Sequence, residues 1–474
     1  MKFLKYPSLV FTIIIILFIS CSKNDPITFT PAILDSSKEI LAFNLKKPDG
    51  TILPITVTIL SDTIKAELPF GTNLINLIPE ITIKGATISP ASGIAQNFSS
   101  PITYTVTAQD KSEKKYVVVL TVAKINFLYI GGSNNKFYAL NALTGDLIWS
   151  FTGGGSFVYS SPTYNNGVVY VGCIDSYVYA FNAITGALLW KFKAGDTGVE
   201  SDAVFFENTI YVGSNDDYLY ALDAATGNLK WKYLSGANIS SSPIYANGIV
   251  YFGSSDFFLY ALNAATGQLI WKYPTGSVIN QSGATIANGI IYVGSRDAYL
   301  HAIDATTGNN VWRFSTNGVS LEQSSPTVEN GVVYIAGWFN FSDTSVKGNM
   351  YAVDALTGTV RWVALENKGF STSPFVHNNR LFICDDNGYV DALNVSNGSL
   401  IWQKRIYSNG ASPIESDNIV YVGGGGSGYI YALNASSGNE IWKFPIPGVL
   451  ATSSPLIISA TGKPVYSGDS GNAY

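Results

Sequence analysis

One phrase recurs through most of this chain and limits its fold more than any other feature. It reads A-x-[ND]-A-x-[TS]-G-x-x-x-W and closes at Trp149, Trp190, Trp231, Trp271, Trp312, Trp362, Trp402 and Trp442. Successive tryptophans stand 41, 41, 40, 41, 50, 40 and 40 residues apart. A fixed period near forty, with four short β-type runs per unit, predicts an all-β chain whose main body is an eight-bladed β-propeller of four-stranded blades. The repeat overrides the several domains that 474 residues alone would suggest.

The second copy shows the expected blade. Ser160-Ser161-Pro162-Thr163-Tyr164 is the innermost strand, A, and Asn166-Gly167 turns the chain. Residues 168–172 form strand B, 177–183 strand C and 188–192 strand D, with a turn at Thr185-Gly186. Asn-Gly suits a type I′ turn because both central positions need φ > 0. The pair returns at Asn247-Gly248, Asn288-Gly289 and Asn330-Gly331. The first blade lacks a strand A of its own, and Ser454-Pro455-Leu456-Ile457-Ile458 is expected to supply it and join the two ends of the ring. A ninth copy then begins at Val465 and has no place.

The phrase resembles the tryptophan-docking motif of pyrroloquinoline-quinone (PQQ) repeats, over residues 127–474. That resemblance implies that each strand D tryptophan lies flat against the neighbouring blade, with the Ala and Gly positions leaving it room. All eight are therefore read as structural. His301 replaces Tyr in its strand C, and His377 sits beside the Asn378-Asn379 turn. Neither has a metal partner at a recognisable spacing, so no metal and no cofactor is expected.

Lys2 and Lys5 precede an apolar run from Leu9 to Ile19. The run is shorter than the ~20 residues of a membrane span and fits a signal-peptide core. Its end, Phe18-Ile19-Ser20-Cys21, resembles a bacterial lipobox. The resemblance implies a signal peptide over 1–21, a lipid on Cys21, a linker over 22–34 and an outer-membrane lipoprotein facing the periplasm or the cell exterior. Residues 35–124 show period-two alternation, as in Thr63-Ile64-Lys65-Ala66-Glu67-Leu68, broken by Pro/Gly/Asn/Ser clusters. This predicts an immunoglobulin-type β-sandwich. It resembles Ig-like domains of Bacteroidota surface lipoproteins, which implies a spacer ahead of the propeller at 125–474. Cys173 and Cys384 fall in blades that are not neighbours. A disulfide needs Cα atoms within about 7 Å, so two unbridged, mostly buried thiols are expected.

A net charge of −5, without a Lys/Arg run beyond the extreme N-terminus, argues against nucleic-acid binding. In a four-stranded meander the B–C turns and D–A crossovers share one face, so the residues leading into each strand A ring the channel there. Their Ser-Ser-Pro default is broken by Glu200, Asp202, Gln281 and, one position earlier, Glu322. The fifty-residue interval comes from a long B–C loop carrying Trp338, Phe339 and Phe341 on the same face. Aromatic rings on a loop suit stacking on a sugar or a partner protein. These seven residues are the candidate binding face.

Three functions follow. The first is a lipid-anchored, non-catalytic binding or scaffold protein, similar to the β-propeller lipoprotein of outer-membrane protein assembly. Its partner is a protein or polysaccharide, and it meets the membrane only through its lipid. The second is a surface glycan-binding lipoprotein. The third is a PQQ-dependent quinoprotein dehydrogenase, which the family resemblance says would need a Glu/Asn/Asp calcium cage and a catalytic Asp. Alcohol-oxidising members often add a vicinal Cys pair, and this chain has no adjacent cysteines.

Overall fold

The computed structural model describes residues 33–339, 348–408, 410–446 and 453–465. Cys21, the signal peptide and Phe341 lie outside the described residues. Contacts divide the chain between Ala123 and Lys124 into two units.

The first unit has seven strands: β1 (Glu39–Lys46), β2 (Val57–Ile59), β3 (Thr63–Leu68), β4 (Ile78–Lys84), β5 (Thr87–Ser89), β6 (Ile102–Thr107) and β7 (Glu113–Val122). They form a β1-β4 pair and a five-stranded sheet, β2-β3-β7-β6-β5. The alternation works as expected: Ile64, Ala66 and Leu68 of β3 are buried in one core with Phe43, Leu45, Tyr104 and Val118. β3 runs parallel to β7, and β5 is a short strand that the sequence pattern did not signal.

Among the described residues the second unit forms eight sheets, seven of four strands and one of five. The four-stranded sheets are meanders in chain order, as in Thr163–Asn165, Val168–Gly172, Tyr177–Asn182 and Leu188–Lys193. Strand A is only three residues long, both where it follows a proline, as after Pro162, and where it follows an alanine, as after Ala203. The Asn166-Gly167 turn has the left-handed pair it requires, φ 44° and 84°.

Each position of the repeated phrase has a local task. Asn182 Oδ1 accepts from the backbone N–H groups of Ile184 and Thr185 and from the Thr185 hydroxyl, which fixes the C–D turn. Ala183 offers its carbonyl to the preceding sheet: Trp149 Nε1 and the Tyr129 hydroxyl both donate to it at 2.9 Å. Gly186, at φ +71°, lies under the indole, and a Cβ there would come within 2.6 Å of Trp149 Cδ2. The same indole N–H to carbonyl bond joins every successive pair of sheets at 2.9–3.2 Å. Trp442 donates to Ala142 and so closes the circle.

Leu456–Ile458 pairs with Phe127–Gly131, giving the first sheet the strand A it lacked. One expectation needs correction. The first residue of the ninth copy does have a place: Pro464–Val465 folds back on Leu456–Ile458 as a fifth strand. Residues 466–474 lie outside the described residues.

Candidate functional site: the channel mouth

The Ser-Ser-Pro lead-ins are the structural floor of the site. The first serine ties strand A to its own strand B: the hydroxyls of Ser160, Ser201, Ser241 and Ser324 accept from Gly172, Gly213, Gly253 and Ala336 N–H. The second serine ties sheet to sheet. Gly283, Ser325, Ser373 and Ser412 N–H donate to the hydroxyls of Ser325, Ser373, Ser412 and Ser454 in turn, at 2.7–3.1 Å. Asp202 N–H donates to Ser242 Oγ at 3.2 Å. At Asp202 a carboxylate replaces the hydroxyl, and its Oδ1 accepts from Ser161 N–H. A belt of hydrogen bonds therefore runs around the axis, and most of the serine hydroxyls are committed to it.

Inside this belt lies a cavity of about 130 Å³. Its lining includes Glu200, Asp202 and Gln281 together with Tyr159, Gln323, Ser161, Ser242, Ser371 and Ser454. Three of the sequence-derived candidates thus meet in one place. Asp202 is buried, Glu200 half-buried and Gln281 exposed at the rim. Burial pushes the Glu200 carboxyl above the usual glutamate range, against a smaller opposing effect of an Asn215 hydrogen bond. Among the described residues neither Lys nor Arg lines the cavity, while two carboxylates do, so these residues give it a negative field. Tyr159 and Gln323 stand immediately before the Ser160-Ser161 and Ser324-Ser325 pairs and are not among the seven candidates.

Glu322 does not line this cavity. It is fully buried, and Arg296 grips both carboxylate oxygens at 2.8 Å. Trp338 and Phe339 are half-buried, edge to face with centroids 4.1 Å apart. They form a bridge with Ser320, two residues before Glu322: Trp338 N–H donates to Ser320 O, and Ser320 N–H to Phe339 O. The aromatic loop is thereby anchored beside the Arg296–Glu322 pair.

Neither histidine stands alone. His301 Nε2 lies 3.0 Å from Asp297, and its Nδ1 lies 3.1 Å from the Tyr273 hydroxyl. His377 pairs through Nδ1 with buried Glu415 of the next sheet. Cys173 and Cys384 are both buried and carry no disulfide, and burial pushes the Cys173 thiol up to about 12. Among the described residues no group of three or more His, Cys, Asp and Glu could hold a metal ion.

Sequence reasoning missed one charged cluster. In the other copies a strand C tyrosine typically binds an Asp of its own B–C loop, as Tyr179 binds Asp175 at 2.6 Å. The seventh copy has Asp391 at that position. Lys368, from the preceding crossover, reaches Asp391 at 2.8 Å and Asp385 at 3.0 Å, and Gln403 donates to Asp391 at 2.7 Å. The replacement of Tyr by Asp was the available signal.

A family model described as outer membrane protein assembly factor BamB matches residues 109–194, 174–287 and 259–416, more than half of the chain. A second, described as SGBP, N-terminal, matches residues 40–120. No match was found among curated proteins. BamB from Moraxella catarrhalis has a similar fold, with TM-score 0.52, 20% identity and coverage of 65% of this chain and 88% of that one. The computationally designed Ika8 protein superposes at TM-score 0.51, 17% identical, over 65% of this chain and 96% of that one. A europium-containing methanol dehydrogenase superposes at TM-score 0.54, 14% identical, over 63% and 80%.

Proposed function

The chain belongs to the BamB-type family of PQQ-repeat propellers, and from that premise we propose that it is a non-catalytic binding or scaffold protein of the outer membrane or cell surface. A lipid on Cys21 holds it there. Its Ig-like N-terminal unit, matched by the SGBP N-terminal model, is the spacer. A protein or polysaccharide partner docks on the face of the channel mouth and the Trp338–Phe339 loop. The observation that carries this reading is the makeup of that mouth. It offers carboxylates, amides and hydroxyls on a hydrogen-bonded belt, with half-buried aromatic rings on the anchored loop.

The dehydrogenase reading fits the site poorly. A quinone that bears several carboxylates would meet Glu200 and Asp202 with no Lys or Arg among the described lining residues. The cavity of about 130 Å³ is also smaller than the roughly 300–1,000 Å³ of sites for ligands of that size. The likeness to methanol dehydrogenase, at 14% identity, is one of fold alone.

Two measurements test the proposal. With PQQ, Ca²⁺, an alcohol and an artificial electron acceptor, the purified protein is expected to give no quinone-dependent dye reduction; turnover would overturn the non-catalytic reading. In affinity electrophoresis on a polysaccharide panel, retardation lost in Trp338→Ala supports a glycan partner on this face. Unretarded migration on every glycan leaves a protein partner as the reading.

A further inference from the structure

At one position, Gly283, the belt around the channel has no side chain to accept a stitch, and the residue before it in the belt, Ser242, lines the cavity with both carboxylates. Seven of the eight second lead-in positions carry a side-chain oxygen: Ser161, Asp202, Ser242, Ser325, Ser373, Ser412 and Ser454; the eighth is Gly283. In the order of the belt Gly283 holds the place where the counterparts of Ser242 N–H find a hydroxyl or carboxylate. Ser242 N–H has no acceptor among the described residues, although Ser242 is only 5% exposed. Buried backbone N–H groups are almost always satisfied, by protein, water or ligand. Ser242 lines the cavity, and its own hydroxyl is bonded to Asp202 N–H. The wall thus sets a donor in want of an acceptor next to the acidic side chains of Asp202 and Glu200.

That pairing selects the chemistry of an occupant. An ammonium group only donates, so it would satisfy the carboxylates and leave Ser242 N–H unmet. A carboxylate or phosphate only accepts, and two like charges repel it. A hydroxyl does both: it accepts from Ser242 N–H and donates to a carboxylate. Gln281 and Gln323 add amides of both kinds to the lining. Tyr159, 51% exposed at the rim, offers an apolar face to the C–H side of a sugar ring. A cavity of about 130 Å³ admits one ring rather than a chain.

We infer that the channel mouth is an end-on site for the terminal residue of a neutral glycan, with adjacent hydroxyls on Asp202, Glu200 and the Ser242 N–H. The inference rests on the binding function proposed above and names its ligand class. Gly283 is a specificity-determining position, because a serine there would close the belt and occupy the acceptor's place. Two substitutions test it by returning the ring to its own default: Gly283→Ser and Asp202→Ser. Neither asks for a residue that the other sheets do not already accommodate.

The experiment is isothermal titration calorimetry of the full chain with a panel of neutral hexoses and pentoses, beside a short alkylamine and inorganic phosphate, with thermal melting of each variant. At least one neutral sugar is expected to bind the native chain in the millimolar range or tighter. Each variant should weaken it by about tenfold or more, as for loss of a hydrogen bond in a polar site, with melting unchanged or raised. The inference is overturned if no neutral sugar binds, if both variants bind as the native chain does, or if the amine binds instead. Absence of monosaccharide binding together with Trp338-dependent retardation on a polysaccharide defeats this inference alone. No sugar, polysaccharide or protein partner at all defeats the binding function as well. A well-ordered water in the gap, undisplaced by any sugar, counts as the first of these outcomes.

Discussion

The docked indoles set a quantitative test of how the ring is held. Trp231 donates to Ala264 O at 3.0 Å and stands against Tyr211 with centroids 5.7 Å apart. Truncating a core Trp costs about 3–5 kcal/mol. Trp231 is half-buried, so Trp231→Ala belongs at the low end, about 3 kcal/mol, of which the hydrogen bond contributes about 1 kcal/mol. Gly267 faces the same ring at φ +73°, and a Cβ there would lie 2.7 Å from Trp231 Cδ2 and Cε3. The left-handed backbone costs a non-glycine residue about 1–2 kcal/mol, and the clash adds about 1–2 kcal/mol. Gly267→Ala should therefore cost about 3 kcal/mol alone. Once the indole is gone only the backbone penalty remains. The double variant should lose about 4–5 kcal/mol rather than 6, a coupling of at least 1 kcal/mol. All nine tryptophans lie after residue 124, so urea unfolding followed by tryptophan fluorescence reports the propeller unit alone. Additivity within about 0.5 kcal/mol would refute the view that Gly267 is glycine because the indole lies on it.

Two further variants probe buried charge. Burial raises the Glu200 carboxyl, so the folded state holds its proton to higher pH than the unfolded chain does. Stability is then lost as pH rises from the ordinary glutamate value, about 4.3, through the raised one. Glu200→Gln should unfold at higher urea than the native chain at neutral pH, with the gap closing below that window; equal midpoints at both ends would reject it. Lys368→Ala leaves Asp385 and Asp391 buried without their shared cation. It should cost about 3–5 kcal/mol at neutral pH and less in acid, where Asp391, raised chiefly by burial, takes up a proton; a loss independent of pH would show that the cluster is not held by charge.

What could be read from the sequence was whatever a short stretch of chain decides for itself. The Asn-Gly turns, the C–D turn closed by Asn182 and the glycine beneath each indole repeat because local geometry repeats. Glu200, Asp202 and Gln281 were found as breaks in a pattern, and the cavity gathers them. Glu322 broke the same pattern for another reason, since its partner is Arg296, 26 residues away in the neighbouring B–C loop. The Lys368 cluster draws on a crossover, a loop and a strand from two successive copies, so no window of one repeat contains it. Gly283 also departs from the Ser-Ser-Pro default. A missing hydroxyl gains meaning only beside Ser242 N–H, 41 residues earlier, which has no acceptor among the described residues.

That gap also bears on why a repeat ring can carry a site at all. Each stitch of the belt is an ordinary hydrogen bond, with a net contribution of about 1 kcal/mol. Each sheet junction is held besides by an indole, its carbonyl bond and a packed core. The junction that lacks its stitch at Gly283 keeps the Trp271 docking bond at 3.2 Å, and Trp231 and Trp312 hold the junctions on either side at 3.0 and 3.1 Å. The ring therefore tolerates a departure at the axis far better than one at the docking positions. Changes at the lead-ins cost little in fold and alter the one concave surface where eight sheets converge. Lead-in substitutions such as Gly283→Ser are therefore expected to move ligand affinity much more than they move unfolding, and docking substitutions such as Trp231→Ala to do the reverse. A set of variants in which the two properties rise and fall together would mean that the channel mouth is only another part of the scaffold.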